Sequence, residues 1–213
     1  MKLSLATAAT ALALLVAAPA SATILVTELT IDGSSTGLGV SPPFGTVTVD
    51  DAGGTLAFTV SLLDDLRFRN SPDANHFSFA FNLGGLSATI GSITDNGAGT
   101  FTSVPGPVNQ SPFGSFQLAL DCTSGCTTGY NAASPSQLNF VVTGVGGALT
   151  VGNLTPTGNV LFAADVVSPG GFTGNVGGGG AVPEPATWGL MLLGFGGMGA
   201  MLRNRRRQVA ATA

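Results

Sequence analysis

Residues 55–62 read Thr-Leu-Ala-Phe-Thr-Val-Ser-Leu, and their alternation decides the fold class. Leu56, Phe58, Val60 and Leu62 fall on one side of an extended chain, and Thr55, Ala57, Thr59 and Ser61 on the other. Successive side chains of a strand point to opposite faces, so one face is buried and the other is wet. Just upstream, Gly45–Val49 forms a second run, joined to the first by Asp50-Asp51-Ala52-Gly53-Gly54. The glycines supply the positive φ angles of a tight connection, and a β-hairpin is predicted. Phe77, Phe79, Phe81 and Leu83 repeat the alternation, and Gly84-Gly85 turns that strand into Leu86–Ile93.

Further strands are expected at Ile24–Ile31, Thr100–Val104, Ser115–Cys122, Leu138–Thr143, Ala148–Val151 and Val160–Val167. Short strands separated by Gly, Pro, Ser and Asn turns predict an all-β chain with one Gly/Ser/Thr-rich, β-sandwich-like domain over residues 23–168. Glycine, at 32 of 213 residues, is about twice as frequent as usual and favours turns over helix. No repeat of fixed period is visible. After Val167 the periodicity stops, and residues 169–181 read as a flexible Gly-rich linker.

The charge balance excludes one class of partner. Outside the two ends, the body keeps only Arg67 and Arg69 against ten acids and has no lysine. No basic patch can neutralise a phosphate backbone, so nucleic-acid binding is not expected. The two cysteines, in Asp121-Cys122-Thr123-Ser124-Gly125-Cys126, are expected to form a local disulfide, as suits an exported chain.

Catalytic chemistry finds little material. His76 is the only histidine, and no cysteine partner accompanies it. Asp50-Asp51 and Asp64-Asp65 are sequence neighbours, which on a strand point apart rather than form an acid–base couple. Asp64, Asp65 and Asp73, with Asn70 and Asn75, offer oxygen ligands in one stretch and are the weak calcium candidate. They lack an EF-hand or RTX pattern, Arg67 and Arg69 stand beside them, and a solvated acidic loop is the preferred reading. No catalytic residue, metal or cofactor is expected.

The two ends carry the informative motifs. Lys2, an apolar run over Leu3–Val16, Pro19 and Ala20-Ser21-Ala22 form a secretory signal over residues 1–22, cut after Ala22 by signal peptidase. Near the other end stands Val182-Pro183-Glu184-Pro185-Ala186-Thr187-Trp188. The prolines keep the backbone around Glu184 extended and open to an enzyme. The apolar stretch 186–202 would rise about 25 Å as a helix, close to the lower limit for a transmembrane span. Trp188 suits the interfacial aromatic belt, and Arg203, Arg205, Arg206 and Arg207 would be retained in the cytoplasm, ahead of a short tail over 208–213.

Together, Pro183-Glu184-Pro185, Trp188, the Gly-rich apolar stretch and the terminal arginines resemble the PEP-CTERM sorting signal over residues 182–207. The match is to its PEPxxWA variant, with Gly189 where that variant usually has Ala. A weaker similarity to small PEP-CTERM proteins covers Phe162–Val166 and Gly171–Gly177. The resemblance implies transient anchoring in the inner membrane, processing by an exosortase, and delivery to the cell surface or medium of an exopolysaccharide-producing bacterium. Some proteins labelled ice-binding carry a similar tail. The resulting expectation is a non-enzymatic surface or matrix protein associated with exopolysaccharide and biofilm. The alternatives are a polysaccharide-acting enzyme, or an ice- or carbohydrate-binding adhesin with a flat Thr/Ser face.

Overall fold

The computed structural model describes residues 22–63, 65–70 and 75–179, together with Phe195. The signal segment before Ala22, Asp64, Asp73 and the sorting motif at Pro183, Glu184, Pro185 and Trp188 lie outside the described residues. So do Arg203, Arg205, Arg206 and Arg207.

Among the described residues eleven strands follow one another: β1 Ile24–Asp32, β2 Gly45–Asp50, β3 Leu56–Leu62, β4 Arg67–Phe68, β5 Phe79–Phe81, β6 Ala88–Asp95, β7 Thr100–Gln110, β8 Gly114–Ser124, β9 Gln137–Gly144, β10 Val160–Val167 and β11 Thr173–Gly179. They form one sheet in the order β6-β9-β3-β2-β1-β11-β10-β5-β8-β7, with β4 paired to the end of β10. Every pairing is antiparallel. The two edge strands, β6 and β7, approach each other, so the sheet winds nearly to closure. The described body, residues 22–179, is all-β, as expected. Instead of two stacked layers, a single wound sheet surrounds the core.

The predicted hairpin is β2–β3, with Val47 opposite Val60 and Val49 opposite Phe58. Gly53 and Gly54, at φ +74° and +77°, turn the chain between them. Phe58 sits at the centre of the barrel. Its ring stacks on Phe140 at 4.6 Å and meets Phe81 at 4.8 Å, while Phe79 and Phe162 complete the cluster. A smaller apolar cluster lies on the other side of the sheet, where Val108 and Phe116 meet Ala80, Ala119, Val160 and Ala163. That second layer explains why all eight residues of β10 are buried.

The largest departure from expectation is at residues 169–181. Instead of a linker, they contain β11, which lies mid-sheet between β1 and β10 with residues 174–178 buried. Its glycines make room for others. A Cβ on Gly178 would stand 3.0 Å from Thr27 Cγ2 and 3.1 Å from Leu29 Cδ2, and one on Gly177 would stand 3.0 Å from the Phe113 ring. The body therefore continues to Gly179 rather than ending at 168. Two smaller differences follow. Ala148–Val151 is not a strand but leads into a 3-10 turn at Val151–Asn153, capped reciprocally by Thr150 and Asn153. The Gly84-Gly85 turn does send the chain into β6, yet β6 pairs with β9 rather than β5.

Candidate functional sites

Asp165 stands in the middle of the apolar strand β10 and is fully buried. A carboxylate there requires partners, because an isolated buried charge is strongly disfavoured. Arg69 Nη1 lies 3.4 Å from Asp165 Oδ2, and His76 Nδ1 lies 3.7 Å from Oδ1. Both come from the segment between β4 and β5. Arg69 is held by its own backbone N–H, donated to the Asp165 carbonyl, and by Nε, donated to the Thr128 carbonyl.

Asn175 of β11 joins this cluster. Its Nδ2 lies 3.4 Å from His76 Nδ1 and donates to the Ser111 carbonyl, and its Oδ1 accepts from Gln110 Nε2 at 2.8 Å. Gln110, itself buried, also exchanges hydrogen bonds with the Phe77 backbone. The cluster thus ties three strands, β7, β10 and β11, to the β4–β5 segment and the β7–β8 turn. Nearby, burial raises the Asp121 carboxyl above its ordinary range; the Cys122 backbone N–H opposes that rise and Asp165 adds to it. A carboxylate between an arginine and a histidine could orient the imidazole as a base. Here, however, the carboxylate is enclosed, and the groups around it also bond to backbone, which favours a structural role.

The remaining candidates from the sequence separate. Cys122 and Cys126 are joined in a disulfide, as expected. Asp65 has a side chain 75% exposed and pairs with Arg67 at 3.4 Å, the competition anticipated from sequence. Among the described residues, no group of three or more His, Cys, Asp or Glu side chains is placed to hold a metal. Sequence reasoning missed Asp165, Asn175 and Gln110. An acid inside the run Val-Leu-Phe-Ala-Ala-Asp-Val-Val was the available signal for the first. Nothing local marked the others.

Two surfaces are open. A groove of about 400 Å³ is lined by Asn82, Pro107, Ser115, Gln117 and Thr155 with glycine backbone, and none of its lining residues is titratable. Gln117 Oε1 accepts from the Leu83 and Gly85 N–H groups, and Asn82 Oδ1 from the Gln117 N–H, so these amides chiefly brace the loop. The second surface is the outward face of β1, β2, β3, β9 and β6. Register aligns Val26, Thr48, Thr59, Asn139 and Thr94 in one row across it, and Glu28, Thr46, Ser61 and Gln137 in the next. Five strands at about 4.8 Å spacing make this face roughly 19 Å wide.

Residues 181–207 match the family model of the PEP-CTERM protein-sorting motif. The chain is accordingly an exported exosortase substrate, sorted through the membrane toward the cell surface. No curated protein and no solved structure matches the chain.

Proposed function

We propose that the body is a non-enzymatic surface or matrix module, freed by exosortase processing and held in exopolysaccharide through the outward face of β1-β2-β3-β9-β6. One observation carries this reading. That face presents hydroxyl and amide side chains in register over four strands, β2, β3, β9 and β6, while β1 adds Val26 and Glu28; its charged members are Glu28 and Asp50 at the β1–β2 side. Such a surface can exchange water-like hydrogen bonds with a hydrated polymer at many weak points. Further support comes from the ionisable cluster, where Asp165 is buried and engaged, and from a groove lined without titratable groups.

The test is retention of the processed, exported protein by exopolysaccharide in sedimentation. Thr48→Ala with Thr59→Ala is expected to lower the retained fraction severalfold while leaving the melting temperature within about 2 °C. Undiminished retention would remove this face from the account. A second reading, a polysaccharide-acting enzyme, draws on the His76–Asp165 pair. Turnover by the purified protein that disappears in His76→Ala, with the fold intact, would establish that reading instead.

A further inference from the structure

Gly179, the last residue of β11, lies one step past the Leu29–Gly178 pair and therefore level with Glu28 of β1. β1 continues beyond that level to Ile24, with Thr23 bonded to Asp51 at the rim. On its other side Gly179 pairs with Val160, the first residue of β10, so the chain leaves the sheet at this rim. From Gly179 to Ala186, where the apolar stretch begins, the fully extended chain reaches only about 23 Å. That is about the length of β11 itself, seven residues at roughly 3.4 Å each, so the far rim cannot be brought round to the bilayer. The tether is too short for the body to turn over while the tail is in place.

The same end of the barrel gathers exposed apolar side chains. Of the large hydrophobic residues exposed on the described body, Ile24, Leu86 and Val145 stand at the end where β11 leaves, Val26 lies on the outward face level with Thr59 in mid-β3, and Leu63 and Phe172 stand at the other end. Val145 N–H donates to the Ser87 carbonyl, next to Leu86. Both arginines of the body stand at the far end, and the carboxylates divide between the two, with Glu28, Asp50 and Asp51 toward the exit. Asp32, Asp65, Arg67, Arg69, Asp95 and Asp165 lie toward the far end. Asp50 and Asp51, near the exit, already accept backbone N–H groups from Ala52, Thr23 and Val151.

We propose that this rim rests on the membrane before processing, with Ile24, Leu86 and Val145 in the lipid interface. The inference rests on the reading of 186–202 as a span. It gives the body one fixed orientation at the moment of cutting, and release then exposes the rim to water.

The full chain, reconstituted in phosphatidylcholine vesicles, tests this with one reporter tryptophan at a time in a Trp188→Phe background. With dibrominated lipid, Val145→Trp emission should fall about twofold and Phe172→Trp emission should barely change, since quenching requires a ring at interfacial depth. Equal quenching of both reporters, or an unquenched Val145→Trp in chains that float with the vesicles, overturns the orientation and leaves the span intact. Chains that fail to float with vesicles sink the span and this inference together. A Val145→Trp signal that responds only when the vesicles contain exosortase rejects lipid in favour of the enzyme as the partner of this rim.

Discussion

β3 and β11 are both interior strands of one sheet, yet they occupy their places by opposite means. β3, Leu-Ala-Phe-Thr-Val-Ser-Leu, alternates, turns Phe58 and Val60 into the core and keeps Ala57 at the surface. β11, Thr-Gly-Asn-Val-Gly-Gly-Gly, has almost no side chains to bury, but its middle five residues are all buried. In β3 the strand fills the core. In β11 its neighbours do: Leu29 and Thr27 close over Gly178 from one side, and Phe113 and Val160 over Gly177 from the other. Alternation therefore marks a strand with one wet face, whereas a strand sandwiched between two apolar layers can be nearly free of side chains.

The comparison breaks most readily at Phe58. Truncation by Phe58→Ala empties the centre of a five-ring cluster and should destabilise the protein by about 3–5 kcal/mol, read by denaturant unfolding of the processed body. A loss under about 1 kcal/mol would mean that β3 does not fill the core as described. At β11 the harmful change is addition. Gly178→Val should cost about 1–3 kcal/mol by overpacking, because the new methyls meet Thr27, Leu29 and the Glu28 carbonyl. A neutral or stabilising result would return this segment to the status of a tether.

The smallest effect is electrostatic and lies beside the cluster that pins Asn175. Burial raises the Asp121 carboxyl in the folded protein, so its favourable contribution is complete below the ordinary value of 3.8 and lost as pH rises through the folded value. Asp121→Asn should therefore raise the melting temperature at pH 7 by about 1–2 °C. The gain should shrink on acidification and vanish below about pH 3.8. A gain that persists unchanged at pH 3 would show that the carboxyl's charge is not its source.

Much of the barrel was legible from residues alone. The β2–β3 hairpin, β1, β8, β9 and β10 follow from apolar spacing and glycine turns, because each strand's own side chains face the core. The short strand β4, Arg67–Phe68, escaped because two residues carry no period. β7 was underestimated because Pro105-Gly106-Pro107 reads as a stop, whereas a register shift between Pro105 and Val108 carries the pairing on to Gln110.

By itself the sequence determined the all-β class, the disulfide loop and the sorting tail, since each rests on residues close together in the chain. The tertiary structure alone decided that Gly174–Gly178 is interior, and that Asp165, Arg69, His76 and Asn175 meet. The space a glycine leaves is defined by side chains far along the chain, as Thr27 is from Gly178. Likewise, the partners of a buried carboxylate are chosen by strand order, with Asp165 meeting an arginine 96 residues earlier in the chain. Neither relation leaves a local period to read.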